Sequence, residues 1–186
     1  MKKLPFILIM LIAFSYGFIS CIDKEDTWEE YKDWREANEA WLLEQSQKTN
    51  EDGTPYYKKF CPRWDKSSYV YIHYYNDTTL TRKNLSPIQT STVDVKYIGR
   101  LYDGTAFDSS YLNTSPADSI FRTQLLGGII DGWVMALSDM HVGDSCKVLI
   151  PYQWAYGESN YGSIKPYSAL SFDIKLVDIP YYETRQ

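Results

Sequence analysis

The last apolar segment of the chain constrains its fold most. Leu170, Phe172, Ile174 and Leu176 alternate with Ser171, Asp173 and Lys175. A period of two puts one set of side chains on a core face and the other in water. A half-buried strand of this kind belongs to a sheet covered on one face, which antiparallel pairing allows. Two more segments repeat the pattern: Val93, Val95 and Tyr97 around Asp94 and Lys96, and Cys146, Val148 and Ile150. From Ser68 to Tyr75 the chain is again rich in strand formers, with Val70, Ile72 and Tyr74 on one side and Tyr69, Tyr71, His73 and Tyr75 on the other. Asn76-Asp77 marks a turn and Asp103-Gly104 a hairpin. One short helix is expected to cover the sheet. Ile130, Val134 and Leu137 share a face of it, and Asp131 at its start is placed to cap the first amides. The expected fold is α+β, an antiparallel sheet over one short helix.

Ahead of this domain, residues 25–48 read as a helix. Thr27 and Glu30 have capping-box spacing. Trp28, Tyr31, Trp34 and Trp41 fall near helical spacing, beside Leu42. Such a stripe either packs on its own domain, the reading preferred here, or stays exposed to dock a partner or a second copy, giving a homodimer. Residues 49–66, with Gly53, Pro55 and Pro62, read as a linker. The expected organisation is a leader over 1–20, an N-terminal segment over 21–66 and the sheet domain over 67–186. Deleting 22–50 is expected to leave the chemistry of that domain in place.

The leader rests on its own pattern. Met1-Lys2-Lys3 is followed by an apolar run from Leu4 to Ile19 and then by Ser20-Cys21. A basic start, an apolar core and a small residue at the cut read as a secretory signal. The run contains Pro5 and Gly17 and falls short of the ~20 residues a spanning helix needs. Cys21 directly after the small residue resembles the bacterial lipoprotein cleavage site, with Phe18 where that pattern has Leu. The resemblance implies a lipid on Cys21, a membrane anchor and a place in the cell envelope, on the periplasmic side or the outer-membrane surface. Removing residues 1–20 takes Lys2 and Lys3 from the 19 basic residues and none of the 24 acidic ones, leaving a formal charge of −7. That balance argues against nucleic acid, whose phosphates need a basic surface. It argues equally against adhesion to anionic lipid by charge, so the lipid itself must do the anchoring. Cys61 and Cys146 remain. Export would allow a disulfide, but Cys146 sits in a strand pattern as a small core residue, and two free thiols are the expectation.

The chain also carries a series of short, Gly-punctuated motifs. In order they are Val95-Lys96-Tyr97-Ile98-Gly99, Asp103-Gly104-Thr105-Ala106-Phe107-Asp108, Ile129-Ile130-Asp131-Gly132-Trp133, Val142-Gly143-Asp144 and Trp154-Ala155-Tyr156-Gly157. Together they resemble an FKBP-type peptidyl-prolyl cis-trans isomerase domain, over about residues 90–179. The resemblance implies a half-barrel sheet wrapped around the short helix. It implies isomerase activity on proline-containing exported polypeptides, with no metal and no cofactor. By the family pattern Tyr97, Phe107, Ile130, Trp133, Tyr156 and Phe172 line the pocket, with Trp133 as its floor. Asp108 sits at the edge, bonded to a neighbouring tyrosine, and Ile129 and Ile164 add apolar wall. Tyr156 would donate its hydroxyl to a substrate carbonyl, and the Ile130 amide would hold another. Phe121 lies out of register with the family's aromatic there and is not assigned to the pocket. The loop Glu158-Ser159-Asn160-Tyr161-Gly162 is about one residue short, and Lys165 stands in place of a proline. Both departures bear on substrate choice.

Two other readings stay open: a non-catalytic binding module or chaperone on the same fold, and an interaction protein that works through the Trp-rich helix. Other chemistries find little support. His73 and His141 are far apart and have no metal-ligand spacing. A His141–Cys146 nucleophilic pair conflicts with the strand position of Cys146. No phosphate-cradling glycine loop occurs.

Overall fold

The structure, a computed structural model, describes residues 23–113 and 118–181. The leader and Cys21 lie outside the described residues. The chain divides into two compact units, Met1–Lys32 and Asp33–Gln186. In the first, the described part is helix α1 (Asp23–Glu30), on which Trp28 is 41% exposed. Helix α2 (Lys32–Ser46) belongs to the second from Asp33 onward. The single helix expected over 25–48 is thus two helices, with a turn at Tyr31. Because α1 begins at Asp23, Thr27 lies inside it rather than at its cap, and the Thr27 carbonyl accepts the Tyr31 amide at 3.1 Å. No helix among the described residues is long and apolar enough to cross a membrane.

Among the described residues seven antiparallel strands form one sheet. They are β1 (Lys58–Phe60), β2 (Val70–Tyr74), β3 (Thr92–Leu101), β4 (Ala106–Ser109), β5 (Phe121–Gln124), β6 (Ser145–Ile150) and β7 (Leu170–Asp178). Their order is β1-β2-β6-β7-β3-β4, with β5 also paired to β3. β7 lies between β6 and β3, so Phe172 pairs with both Val148 and Gly99. This position explains why its alternating residues Leu170, Phe172, Ile174 and Leu176 are all buried. β3 is long enough to serve two neighbours on its other edge, β5 against its first half and β4 against its second.

The covering helix is α5 (Asp131–Asp139), preceded by the short segments α3 (Ser110–Asn113) and α4 (Leu125–Gly128). Trp133, Met135, Ala136 and Leu137 of α5 are buried in one cluster with Val70, Val95, Val148 and Ile174. Gly132 permits this close approach: a Cβ there would lie 2.3 Å from Ile150 Cγ2. Asp131 differs from the expectation. Ile130, in extended backbone, is the cap, and no side chain caps α5. Asp131 instead occupies the first turn, where its charge favours the helix dipole.

Two more details depart from simple alternation. Alternation assigns Asp94 to solvent, yet it is 5% exposed. Strand β5 brings Arg122 across from it, and the guanidinium makes two bonds of 2.7 Å to its carboxylate. Asp144, in the Val142-Gly143-Asp144 motif, is fully buried and accepts bonds from the His141 amide (2.7 Å), the Asn76 amide group (2.9 Å) and the Thr81 hydroxyl. That motif is a structural knot between two loops. Cys61 and Cys146 are both free thiols. Cys146 is buried 3.6 Å from Met140 Sδ, and burial pushes its thiol far above the usual range, so it is no nucleophile.

Helix α2 docks on its own unit through polar groups. Asn38 is 1% exposed, and its Oδ1 accepts the Ala169 amide at 2.9 Å. Trp34 Nε1 donates to Ser168 Oγ at 3.0 Å. Arg35, 6% exposed, lies 5.7 Å from the centre of the Tyr167 ring. The sequence pattern drew attention to the tryptophans of this helix. The residues that bury most deeply are Arg35 and Asn38.

Candidate active site

Several strands and one loop converge on a cavity of about 230 Å³. β3 contributes Tyr97, β4 Phe107 and Asp108, β5 Phe121, and β7 Phe172. Ile129 and Ile130 enter from the turn before α5, Trp133 from α5 itself, and Tyr156 and Tyr161 from the loop between β6 and β7. Trp133 is 4% exposed and meets Tyr97 edge-on at 4.9 Å and Phe172 edge-on at 5.2 Å. Phe107 completes the set against Phe172 at 5.6 Å. Edge-to-face contacts at these separations are the favoured arrangement for aromatic quadrupoles, so the walls hold one another in place. Gly99 makes room for this. A Cβ at that position would come within 2.7 Å of both Phe107 Cζ and Phe172 Cε1.

The polar groups are few and well placed. The Tyr97 hydroxyl donates to Asp108 Oδ2 at 2.5 Å, and the Ser109 amide donates to Asp108 Oδ1 at 2.8 Å. The Tyr97 amide donates to Ser110 Oγ at 3.0 Å. Burial, reinforced by the Asp108 bond, raises the Tyr97 phenol well above its usual range, so it stays a neutral donor. Burial also raises the Tyr156 phenol. None of the hydrogen bonds among the described residues uses the Tyr156 hydroxyl or the Ile130 amide, although the Ile130 carbonyl accepts the Trp133 amide at 3.0 Å. Trp133 Nε1 is buried without an acceptor among the described residues. An orphaned buried N–H is costly and rare in a folded protein, so it calls for a reason.

Seven residues expected from the sequence to do the chemistry line this one cavity, and so does Ile129. Ile129 also lines a second cavity, of about 300 Å³, with Trp64, Val134 and Trp154. Ile164 is elsewhere. It is not among the residues that line this cavity; it is 3% exposed, packs in the core cluster and pairs through its backbone with Tyr161, which does line it. Two aromatics join that were not assigned. Phe121 lies edge-on to Tyr97 at 5.5 Å, and Tyr161 stacks on Tyr156 at 4.1 Å and 10°. Pairing of β5 with β3 sets Phe121 opposite Val95, a register that its spacing from Leu126-Gly127 does not reveal. Tyr161 sits in a loop without periodicity and carries no comparable signal. Among the described residues no group of three or more His, Cys, Asp or Glu is placed to hold a metal ion.

The model of the FKBP-type peptidyl-prolyl cis-trans isomerase family matches residues 83–177. The FKBP-type 22 kDa peptidyl-prolyl cis-trans isomerase of Escherichia coli K12 is 43% identical over 94 residues, 50% of this chain and 43% of that protein. The peptidyl-prolyl cis-trans isomerase Mip of Coxiella burnetii is 41% identical over 95 residues, 50% of this chain and 39% of that protein. The chain therefore spans less than half the length of these curated relatives. The crystal structure of FkpA from Escherichia coli superposes with a TM-score of 0.62 at 25% identity, covering 96% of this chain and 82% of that one. A peptidyl-prolyl cis-trans isomerase from Pseudomonas syringae pv. tomato gives the same TM-score and identity over 80% of this chain and 95% of its own. With the aromatic cavity in place and half the chain matched, this protein belongs to the FKBP-type peptidyl-prolyl cis-trans isomerase family.

Proposed function

We propose that this chain is a peptidyl-prolyl cis-trans isomerase that speeds the folding of exported proteins. One observation carries the reading: an aromatic cavity lined by Tyr156 and Ile130, whose hydroxyl and amide are used by no hydrogen bond among the described residues. Rotation about a prolyl bond crosses a barrier of about 20 kcal/mol, set by amide resonance, and takes tens of seconds unaided. The twisted transition state has lost that resonance and its charge separation. A dry aromatic pocket therefore favours it over the planar ground state. Proline would sit over Trp133, walled by Tyr97, Phe107 and Phe172. Tyr156 and the Ile130 amide would take carbonyls on either side. The Tyr97–Asp108 bond keeps the carboxylate turned to protein donors at the edge. No bond is broken, so no nucleophile is required.

The test is exchange catalysis on short peptides with an apolar residue before proline, read by magnetisation exchange or by protease coupling. Acceleration that survives a chelator supports the enzyme. Peptide binding at these residues with no acceleration supports a binding module instead.

The proposal extends to placement. Residues 1–20 act as the signal, Cys21 carries the lipid, 21–66 forms the anchored N-terminal segment, and the protein works in the cell envelope. Mass spectrometry of the mature protein is expected to find Cys21 first and acylated, and Cys21→Ser is expected to release the protein from the membrane. A mature chain that starts elsewhere rules the anchor out. Since α2 is engaged with its own unit, a homodimer would rest on α1 and its exposed Trp28.

A further inference from the structure

Helix α2 and the cavity share one stretch of chain. Residues 151–169 connect β6 to β7. The N-terminal end of that connection carries Tyr156 and Tyr161, the outer wall of the cavity. Its C-terminal end is where α2 is fastened. Asn38 takes the Ala169 amide at 2.9 Å, and Trp34 reaches Ser168 at 3.0 Å, whose hydroxyl in turn donates to the Lys165 carbonyl at 2.7 Å. The Lys165 ammonium lies 4.6 Å over the Trp34 ring, a cation–π contact. Arg35 lies against Tyr167. Tyr167 itself has a positive φ of 61°, a conformation a tyrosine adopts only where its surroundings hold it.

The two ends are linked by short bonds. The Tyr167 amide donates to the Gly157 carbonyl at 2.9 Å, one residue after Tyr156. Tyr161 and Ile164 exchange two bonds of 2.9 Å. Tyr161 then stacks on Tyr156. A continuous path of contacts thus leads from the buried face of α2 to the hydroxyl-bearing wall of the cavity. Trp34, Arg35 and Asn38 are not among the residues that line the cavity. Their effect is indirect.

We propose that α2 is a positioning element for the outer wall: Trp34 and Asn38 fix the 165–169 segment, and with it the placement of Tyr156 and Tyr161 over the residue that precedes proline. This rests on the isomerase reading for its effect on substrate choice, and on geometry alone for its effect on the loop. It reverses the expectation that 22–50 is dispensable to the domain.

The experiment uses the full chain and the variants Trp34→Ala, Asn38→Ala, Lys165→Glu and Lys165→Arg. Hydrogen exchange is followed at 157–169 and at β3. The ratio of kcat/KM for peptides with Leu or Glu before proline is measured beside it. Trp34→Ala and Asn38→Ala are expected to speed exchange in 157–169 by about tenfold while β3 keeps its protection. The Leu-over-Glu preference is expected to fall by about threefold, through KM more than kcat. Lys165→Glu, at an exposed site that does not threaten folding, moves the same way by less, and Lys165→Arg retains the native profile. Unchanged loop exchange overturns the proposal. So does faster loop exchange with an unchanged preference, which leaves α2 a merely structural helix. If the unaltered protein catalyses no exchange at all, the isomerase reading fails, and hydrogen exchange alone then decides whether α2 holds the loop.

Discussion

The cavity has two walls of different origin. The inner wall, Trp133, Phe172 and Tyr97, is 4%, 4% and 7% exposed and belongs to the same cluster that closes the core. The outer wall, Tyr156 and Tyr161, hangs on a loop, and Tyr161 is 59% exposed. Inner residues serve the fold and the site at once, so evolution cannot alter one without the other. Outer residues serve the site and owe their place to neighbours brought from far along the chain. Changes in the inner wall are expected to reduce stability and activity together, and changes in the outer wall to separate them.

Trp133→Ala gives the sharpest break. It removes a large buried side chain from beneath the cavity and leaves a void between Tyr97 and Phe172. A loss of about 3–5 kcal/mol of stability is expected, read from the denaturation midpoint, with exchange activity lost in parallel. A variant that keeps its melting temperature would place Trp133 outside the core and dissolve the distinction between the walls.

Gly99→Ala is expected to cost less, because atoms are added rather than removed. The new Cβ meets two aromatic rings at 2.7 Å, and both must turn or the strand must shift. Overpacking of this kind costs about 1–3 kcal/mol. Since the rings concerned are Phe107 and Phe172, activity is expected to fall further than the change in stability alone explains. Full activity in a destabilised Gly99→Ala would show that the rings can move without harm to the site.

The contrast between the walls also decides what was legible in the sequence. The inner wall follows from period-two strands and one short helix, because side chains that alternate into a core are constrained by local geometry. Alternation places Tyr97 and Phe172 on core faces, but Trp133 is reached only through the resemblance of its motif, since spacing alone puts Ile130, Val134 and Leu137 on the covering face of the helix. The outer wall depends on contacts such as Asn38 with Ala169, 131 residues apart. No local pattern encodes these, so the sequence gives no signal for Tyr161 in the lining, nor for the place of Ile164 behind it. Asp94 makes the same point inside a strand. Its burial depends on Arg122 arriving from β5, and alternation alone assigns it to water.

A pH titration tests the inner wall more gently. The Tyr97 phenol is raised from 10.0, first by burial and then by its bond to Asp108, and Tyr74 is raised likewise by burial and Asp139. For a group raised on folding, the stabilisation is fully present below the unfolded value and is lost as pH climbs through it toward the native one. The melting temperature is expected to hold steady between about pH 7 and 9 and to fall above about pH 10, the ordinary tyrosine range. Tyr97→Phe is expected to make that fall shallower. An equally steep fall in the variant would assign the alkaline limb to other groups.

Tyr156→Phe has the smallest expected effect and sharpens the comparison most. The ring stays, so its stacking with Tyr161 at 4.1 Å is retained. The hydroxyl that leaves has no bond within the described residues, so the melting temperature is expected to stay within error. What is expected to be lost is the one hydrogen bond to a substrate carbonyl that the proposed function assigns to it. That is about 1 kcal/mol of transition-state stabilisation, a several-fold drop in kcat/KM. The inner-wall variants cannot give this result, because there the melting temperature falls with the rate. If Tyr156→Phe lowers stability while sparing the rate, its hydroxyl belongs to the fold, and the outer wall is then as much a part of the core as the inner one.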